Sequence, residues 1–251
     1  MKAIIIAAGS GLRLKPLTDV KPKCMLEVNG KTLLQYQIEA LKGAGVDRIV
    51  VVRGYKKEMI NYPEIIYYTN DNYQNNNILH SLFYAEEEME DEFIAVYSDI
   101  FYKIDVVKRL LKSIKDISIV VDIDWQNNYR DRIAHPITEA ENVIFDKSNR
   151  LIEIGKRIPG IKTVSGEFIG MMKCSKKGAQ IFKEHFRYLR KVYNGKPFQK
   201  ASIFEQAYLT DMLQDIVDSG ISVYCVTIRG GWREIDTIQD YHKLNKELTI
   251  K

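Results

Sequence analysis

Apolar residues in the first half of the chain fall into short runs separated by segments of helical period. Lys2 to Ala7 is a β-branched run that reads as a buried strand. Leu33 to Ala44 places Leu33, Leu34, Ile38 and Leu41 at helical spacing, and Gly45 ends it. Strands are predicted over Asp47 to Arg53 and Glu64 to Thr69, a helix over Ile78 to Met89, and a strand over Phe93 to Ser98 that runs into Asp99. A helix over Ile104 to Lys115 and a strand over Ile117 to Ile123 continue the series. Such alternation predicts βαβ units, and so an α/β fold whose sheet is mixed but mostly parallel and flanked by helices. Ligands in such sheets bind at the carboxyl ends of the strands, which is where the loop after Ala7 and Asp99 both fall.

From Asp124 the rhythm changes. Trp125 to Arg132 is polar and aromatic, and short strand-like pieces follow over Asn142 to Phe145, Leu151 to Ile154 and Val164 to Lys173. A small β-rich insertion, roughly 124–165, is expected to cover the cleft. Helices are predicted over Lys176 to Lys191 and Ile203 to Val217, a last strand over Ser222 to Ile228, and a closing helix over Ile238 to Glu247. With no repeat, low-complexity tract or linker, the whole of 1–251 is expected to form a single domain.

Composition narrows the partners. The 251 residues carry 37 Lys and Arg against 33 Asp and Glu, a net charge of only +4 with no long basic run, which disfavours nucleic acid. Cys24, Cys174 and Cys225 are odd in number and widely spaced, so they read as reduced thiols of a cytoplasmic protein. No stretch approaches the length of a membrane span.

The loop after the first strand carries the chemistry. Gly9-Ser10-Gly11 follows Ala7-Ala8 and offers bare backbone N–H groups to an anion, and Arg13, Lys15, Lys21 and Lys23 add positive charge. Two other phosphate motifs fail. Gly30-Lys31-Thr32 resembles the end of a P-loop, but Met25 stands where its first glycine belongs. Leu14 stands where the third glycine of a dinucleotide fingerprint belongs. The full pattern Ala-Ala-Gly-x-Gly-x-Arg-x-x-Pro-x-Thr-x-x-x-Pro-Lys resembles the signature of the nucleotidyltransferases that activate sugar phosphates, phosphocholine and phosphonates, a Rossmann-like family.

Nucleotidyl transfer is an in-line attack on the α-phosphorus that expels pyrophosphate. An anionic attacking oxygen needs charge neutralisation and alignment, not a general base. Two carboxylates holding Mg²⁺ supply this. Asp99 at a strand end and Asp236 in Glu234-Ile235-Asp236-Thr237 are the candidates, with Glu234 a third, and the resemblance assigns the two aspartates to the metal. Capping of the following helices is the alternative role for both. The resemblance also implies that Lys23 neutralises the reacting phosphates, that Arg13 grips the β- and γ-phosphates, and that Lys156 receives the acceptor phosphoryl group. At Lys156 the sequence departs from the sugar-nucleotide branch, since Arg157 replaces the proline of Glu-Lys-Pro. Asn76, Asn77 and Ser81 match an Asn-Asn-x-x-x-Ser-Leu pattern of cytidylyltransferases and can offer donors and acceptors to a pyrimidine; capping of the helix is again the alternative.

Between Asp122 and Glu141, aromatic residues alternate with charged ones. Trp125, Tyr129 and Trp232 with Asp122, Glu139 and Glu141 suit an ammonium group, while Arg132 suits a phosphoryl tail, with His135 nearby. The arrangement resembles the phosphonate cytidylyltransferases, some linked to phosphoenolpyruvate mutase. The expected reaction is therefore Mg²⁺-dependent transfer of CMP from CTP to a phosphonate, foremost 2-aminoethylphosphonate, with phosphocholine next. A sugar-1-phosphate transferase and a non-catalytic nucleotide-binding subunit are the competing readings. Homodimers are common among such relatives.

Overall fold

The computed structural model describes residues 1–130, 132–158 and 164–249. Residues 131 and 159–163 of the expected insertion thus lie outside the described residues.

The first half follows its periodicity. Strand β1 (Lys2–Ala7) leads through the glycine loop to a short hairpin of β2 (Glu27–Val28) and β3 (Lys31–Thr32), then helix α1 (Leu33–Gly43). The Thr32 hydroxyl caps α1 by accepting the Gln35 N–H at 3.0 Å. Next come β4 (Arg48–Arg53), β5 (Ile66–Thr69) and α2 (Ile78–Phe83). Helix α2 is shorter than expected, because the chain kinks and resumes as a 3₁₀ turn over Glu86–Glu90. Strand β6 (Phe93–Tyr97) turns sharply at Ser98–Asp99 into β7 (Ile100–Tyr102), which sequence patterning did not separate, and α3 (Ile104–Leu111) leads to β8 (Ile117–Asp122).

The second half holds β9 (Glu141–Phe145), β10 (Leu151–Lys156), β11 (Gly166–Cys174), α4 (Lys176–Tyr193), α5 (Leu209–Asp218), β12 (Tyr224–Ile228), β13 (Trp232–Glu234) and α6 (Ile238–Thr249). Only the latter part of the segment expected over Ile203 to Val217 is α-helix; Phe204–Gln206 is a 3₁₀ turn.

The nine-stranded sheet runs β10-β9-β11-β6-β1-β4-β5, with β8 also on β11 and β12 on β8. Pairs β1–β4, β1–β6, β4–β5 and β8–β12 are parallel, whereas β11 runs antiparallel to β6, β8 and β9. The fold is thus a mixed Rossmann-like sheet with helices packed on it. The inserted segment is less of a separate layer than expected: its first part forms 3₁₀ turns over Trp125–Tyr129 and Ile137–Glu139, and its strands join the central sheet through β11. Apolar clusters on the sheet's two faces hold α2, α4 and α5 on one side and α1 and α3 on the other. A separate two-stranded ribbon of β7 and β13 crosses the strand ends and brings Glu234 and Asp236 to the end of β6.

Candidate active site

A cleft of about 550 Å³ opens where β1 and β6 end. It is lined at one end by Ala7, Ala8, Gly9, Ser10, Gly11 and Arg13, at its floor by Lys23, Asp99 and Asp236, and at the other end by Glu139, Glu141 and Lys156. The loop has its conformation because Gly11 sits at φ 62° in the left-handed region. A Cβ there would also stand 3.0 Å from the Lys23 Cβ, so only glycine lets the lysine stem pass so close. Thr18, which belongs to the signature, locks the loop by donating its hydroxyl to the Gly11 carbonyl at 2.9 Å.

Lys23 is the hub. Its Nζ lies 2.9 Å from Asp99 Oδ2 and also donates to Asp236 Oδ1. Burial alone would lower its pKa, but Asp236, Asp99 and Glu234 outweigh that and hold the ammonium above the ordinary lysine range. Burial would raise Asp236, yet Lys23, His135 and Arg13 keep its carboxyl well below the usual range. Arg13 Nη2 reaches the second oxygen, Asp236 Oδ2. Neither aspartate is a helix cap. Lys103 is the residue before α3, without a side-chain cap, and α6 is capped by Thr237, whose hydroxyl accepts the Asp240 N–H at 3.2 Å while the Asp240 carboxylate accepts the Thr237 and Asp236 N–H groups at 2.9 and 3.1 Å.

The carboxylates fit a divalent cation. Asp99 Oδ1 is buried with no hydrogen-bond partner among the described residues, and hard oxygen donors from Asp99 and Asp236 already converge on one cationic centre. Glu234 lies beside them; burial and then Asp236 raise its pKa. His135 packs its Nδ1 3.0 Å from Asp236 Oδ2, and ligand atoms of His135, Glu234 and Asp236 lie within 4.8 Å of one another. His135 is therefore a neighbour of the carboxylates and does not line the acceptor end of the cleft.

Asn76, Asn77 and Ser81, expected to meet the base, all line the cleft. Asn77 caps α2, accepting the Ile78 N–H at 2.8 Å. Asn76 and Ser81 are held by a residue that patterning missed: the fully buried Asn70 donates Nδ2 to Asn76 Oδ1 at 2.8 Å and to Ser81 Oγ at 2.9 Å. Its signal was an amide directly at the end of a predicted strand.

The expected acceptor pocket divides. Glu139, Glu141, Lys156 and Trp232 line the cleft; Asp122, Trp125, Tyr129 and Arg132 do not. Trp125 and Tyr129 pack edge to face at 5.8 Å in a small apolar cluster with Ala140, so their rings are core and offer no face to a ligand. Arg132 is spent on buried ion pairs with Glu234 at 3.0 Å and Asp240 at 2.8 Å. Asp122 accepts the Trp232 indole N–H at 2.8 Å and the Gly230 N–H at 3.0 Å, which fixes the β12–β13 turn. Lys156 lies 3.5 Å from Glu139 and 4.8 Å from the centre of the Tyr208 ring. Burial would lower its pKa, but Tyr208, Glu141 and Glu139 raise it, so it stays charged. Tyr97, Glu167 and Tyr208 complete this wall and were not anticipated, although Glu167 is a carboxylate inside the apolar run Phe168–Met172 extends.

Comparison with known proteins places the chain in a family. A family model described as a MobA-like NTP transferase domain matches residues 3–154. The chain is 33% identical over 251 residues to the CTP:phosphoglutamine cytidylyltransferase of Campylobacter jejuni, covering 96% of this chain and 97% of that one. It is 41% identical over 93 residues to the 2-aminoethylphosphonate cytidylyltransferase of Lancefieldella rimae, 35% of this chain and 38% of that one. The solved CTP:phosphocholine cytidylyltransferase of Streptococcus pneumoniae shares the fold with a TM-score of 0.76 at 24% identity, each chain covered to 98%. With a family match over more than half of its length, the chain belongs to the MobA-like NTP transferase domain family and is a nucleotidyltransferase.

Proposed function

We propose that the protein transfers CMP from CTP to a small acceptor carrying a phosphonate or phosphate at one end and a cationic nitrogen at the other, with 2-aminoethylphosphonate a leading candidate. The observation that carries this reading is Lys23, seated between Asp99 and Asp236 on the floor of a cleft that runs from the glycine loop to Lys156. The names of the relatives support CTP as donor and phosphorylated amino compounds as acceptors. The acceptor's anionic oxygen attacks the α-phosphorus, forming one P–O bond as the bond to the β-phosphate breaks, and pyrophosphate leaves with its charge. No proton needs to move.

The chain's own residues do the positioning. Backbone N–H groups of Gly9 to Gly11 and the Arg13 guanidinium hold the triphosphate, the Lys23 ammonium meets the charge that develops at the α-phosphate, and Lys156 draws the acceptor phosphoryl group into line. Mg²⁺, held by Asp99 and Asp236 with Glu234 or His135 beside them, would supply further charge neutralisation when bound. Asn76 and Ser81, locked by Asn70, meet the cytosine edge.

Pyrophosphate release from CTP with 2-aminoethylphosphonate, phosphocholine and phosphoglutamine, each with Mg²⁺, tests this. Turnover is expected with CTP and at least one of the three, and none with any would refute it. Asp99→Asn should lower turnover about 10³-fold, with the fold intact by circular dichroism.

A further inference from the structure

The acceptor end of the cleft holds polar groups that the protein itself does not satisfy. Glu167 is 4% exposed; its Oε1 accepts the Tyr129 hydroxyl at 2.5 Å, and its Oε2 has no partner among the described residues. Tyr97 Oη is likewise buried and unpartnered. Glu141 lines the same wall, opposite Lys156 in the β9–β10 register, with no side-chain hydrogen bond among the described residues. A buried carboxylate oxygen and hydroxyl without partners are costly, so their persistence in a cleft wall points to a ligand that completes them.

The backbone is shaped to keep them there. Gly170 sits at φ 78° in the bulge between Phe168 and Met172, where a Cβ would stand 2.4 Å from the Tyr97 ring. Glycine thus lets the tyrosine lie against β11, edge-on to Phe168 at 5.9 Å, in the wall of the cleft.

Two carboxyls and a phenol ask for hydrogen-bond donors. A trimethylammonium group has no N–H and would leave Glu167 Oε2 and Tyr97 Oη unpaired. We propose that Glu167, Glu141 and Tyr97 form a subsite for the primary ammonium group of the acceptor and select it against a quaternary one. This rests on the CMP-transfer reading above and narrows its acceptor. Burial raises the pKa of both carboxyls, Glu141 to about 8, with Lys156 opposing and Glu234, Asp99 and Asp211 adding to the rise at Glu141. Arrival of an ammonium therefore ionises a carboxyl and releases a proton.

Phosphoethanolamine and phosphocholine differ only in the three N-methyl groups, so they are the decisive probes. Calorimetry on the protein loaded with a non-hydrolysable methylene analogue of CTP should show phosphoethanolamine bound about 100-fold more tightly, with proton release visible as a buffer-dependent heat. Tyr97→Phe and Glu141→Gln, each checked for an unchanged thermal shift with CTP, should weaken phosphoethanolamine about tenfold and leave phosphocholine unmoved. Equal or tighter binding of phosphocholine, measurable binding of neither compound, or variants that weaken both alike would overturn the subsite. Pyrophosphate release with the same pair is read separately, so a protein that discriminates in binding yet never turns over would refute the transfer reading and leave the subsite standing.

Discussion

At the residue scale, Lys23 and Glu141 show opposite uses of burial. Lys23 is buried among carboxylates, so its charge is stabilised and available to a phosphate at any physiological pH. Glu141 is buried chiefly with like charges, Lys156 alone opposing, and its carboxyl is pushed up to about 8 from the usual 4.5. Between those two values the folded state holds a proton that the unfolded chain has lost, so this group's contribution to stability falls as pH rises from 4.5 to about 8. Glu141→Gln removes the titration. In urea melts of the ligand-free protein across pH 5–8.5, the variant should show a shallower decline than the wild type and exceed its stability at pH 8.5. Parallel curves would remove Glu141 as the source.

At the element scale, two devices bring distant segments to the cleft. The bulge of β11 is one: Gly170→Ala forces both a strained φ and a contact with Tyr97, and should destabilise the fold by about 1–3 kcal/mol, read as a lowered urea midpoint. The start of α6 is the other. Asp240 gathers the Asp236 and Thr237 N–H groups, the Thr237 hydroxyl and the Arg132 guanidinium, so the helix terminus, β13 and the segment before His135 hang on one carboxylate. Asp240→Ala leaves Arg132 half-paired and should lower stability by about 3 kcal/mol, with loss of CTP binding because Asp236 loses its mooring. An unchanged melting curve would show that Arg132 and Glu234 suffice without it.

At the scale of the whole molecule, the sheet is a platform and the chemistry stands along its carboxyl edge. Ligand binding there should couple to global stability. CTP with Mg²⁺ at a hundred times its dissociation constant should stabilise the protein by about 2.7 kcal/mol, and UTP at the same concentration by less, as read by differential scanning fluorimetry. Equal shifts would mean that Asn76 and Ser81 do not read the base. The three cysteines are free and buried, and among the described residues no helix is long and apolar enough to cross a membrane.

Local pattern was enough for β1, α1, β4 and β8, because each carries its own periodicity and terminates at a glycine, a turn or a charged residue. It was enough too for Gly9 to Gly11, Arg13 and Lys23, since a glycine loop followed by closely spaced cations forms one site within one stretch of chain. Asp99 and Asp236 were legible as strand-end carboxylates, although their meeting on one ammonium across a sequence gap of 213 between Lys23 and Asp236 was not. The acceptor pocket was the weak point. Trp125, Tyr129 and Arg132 look like ligand-binding residues in a linear reading, and whether an aromatic or guanidinium faces water, core or ligand depends on what packs over it. Here Ala140 and Tyr129 cover Trp125, and Asp240 claims Arg132. Contiguous residues thus carry the fold class, the glycine loop with its cations and the type of reaction. Which carboxylates and aromatics line the cleft is settled instead by tertiary contact, the long-range pairing of β11 with β6, β8 and β9, which no local period encodes.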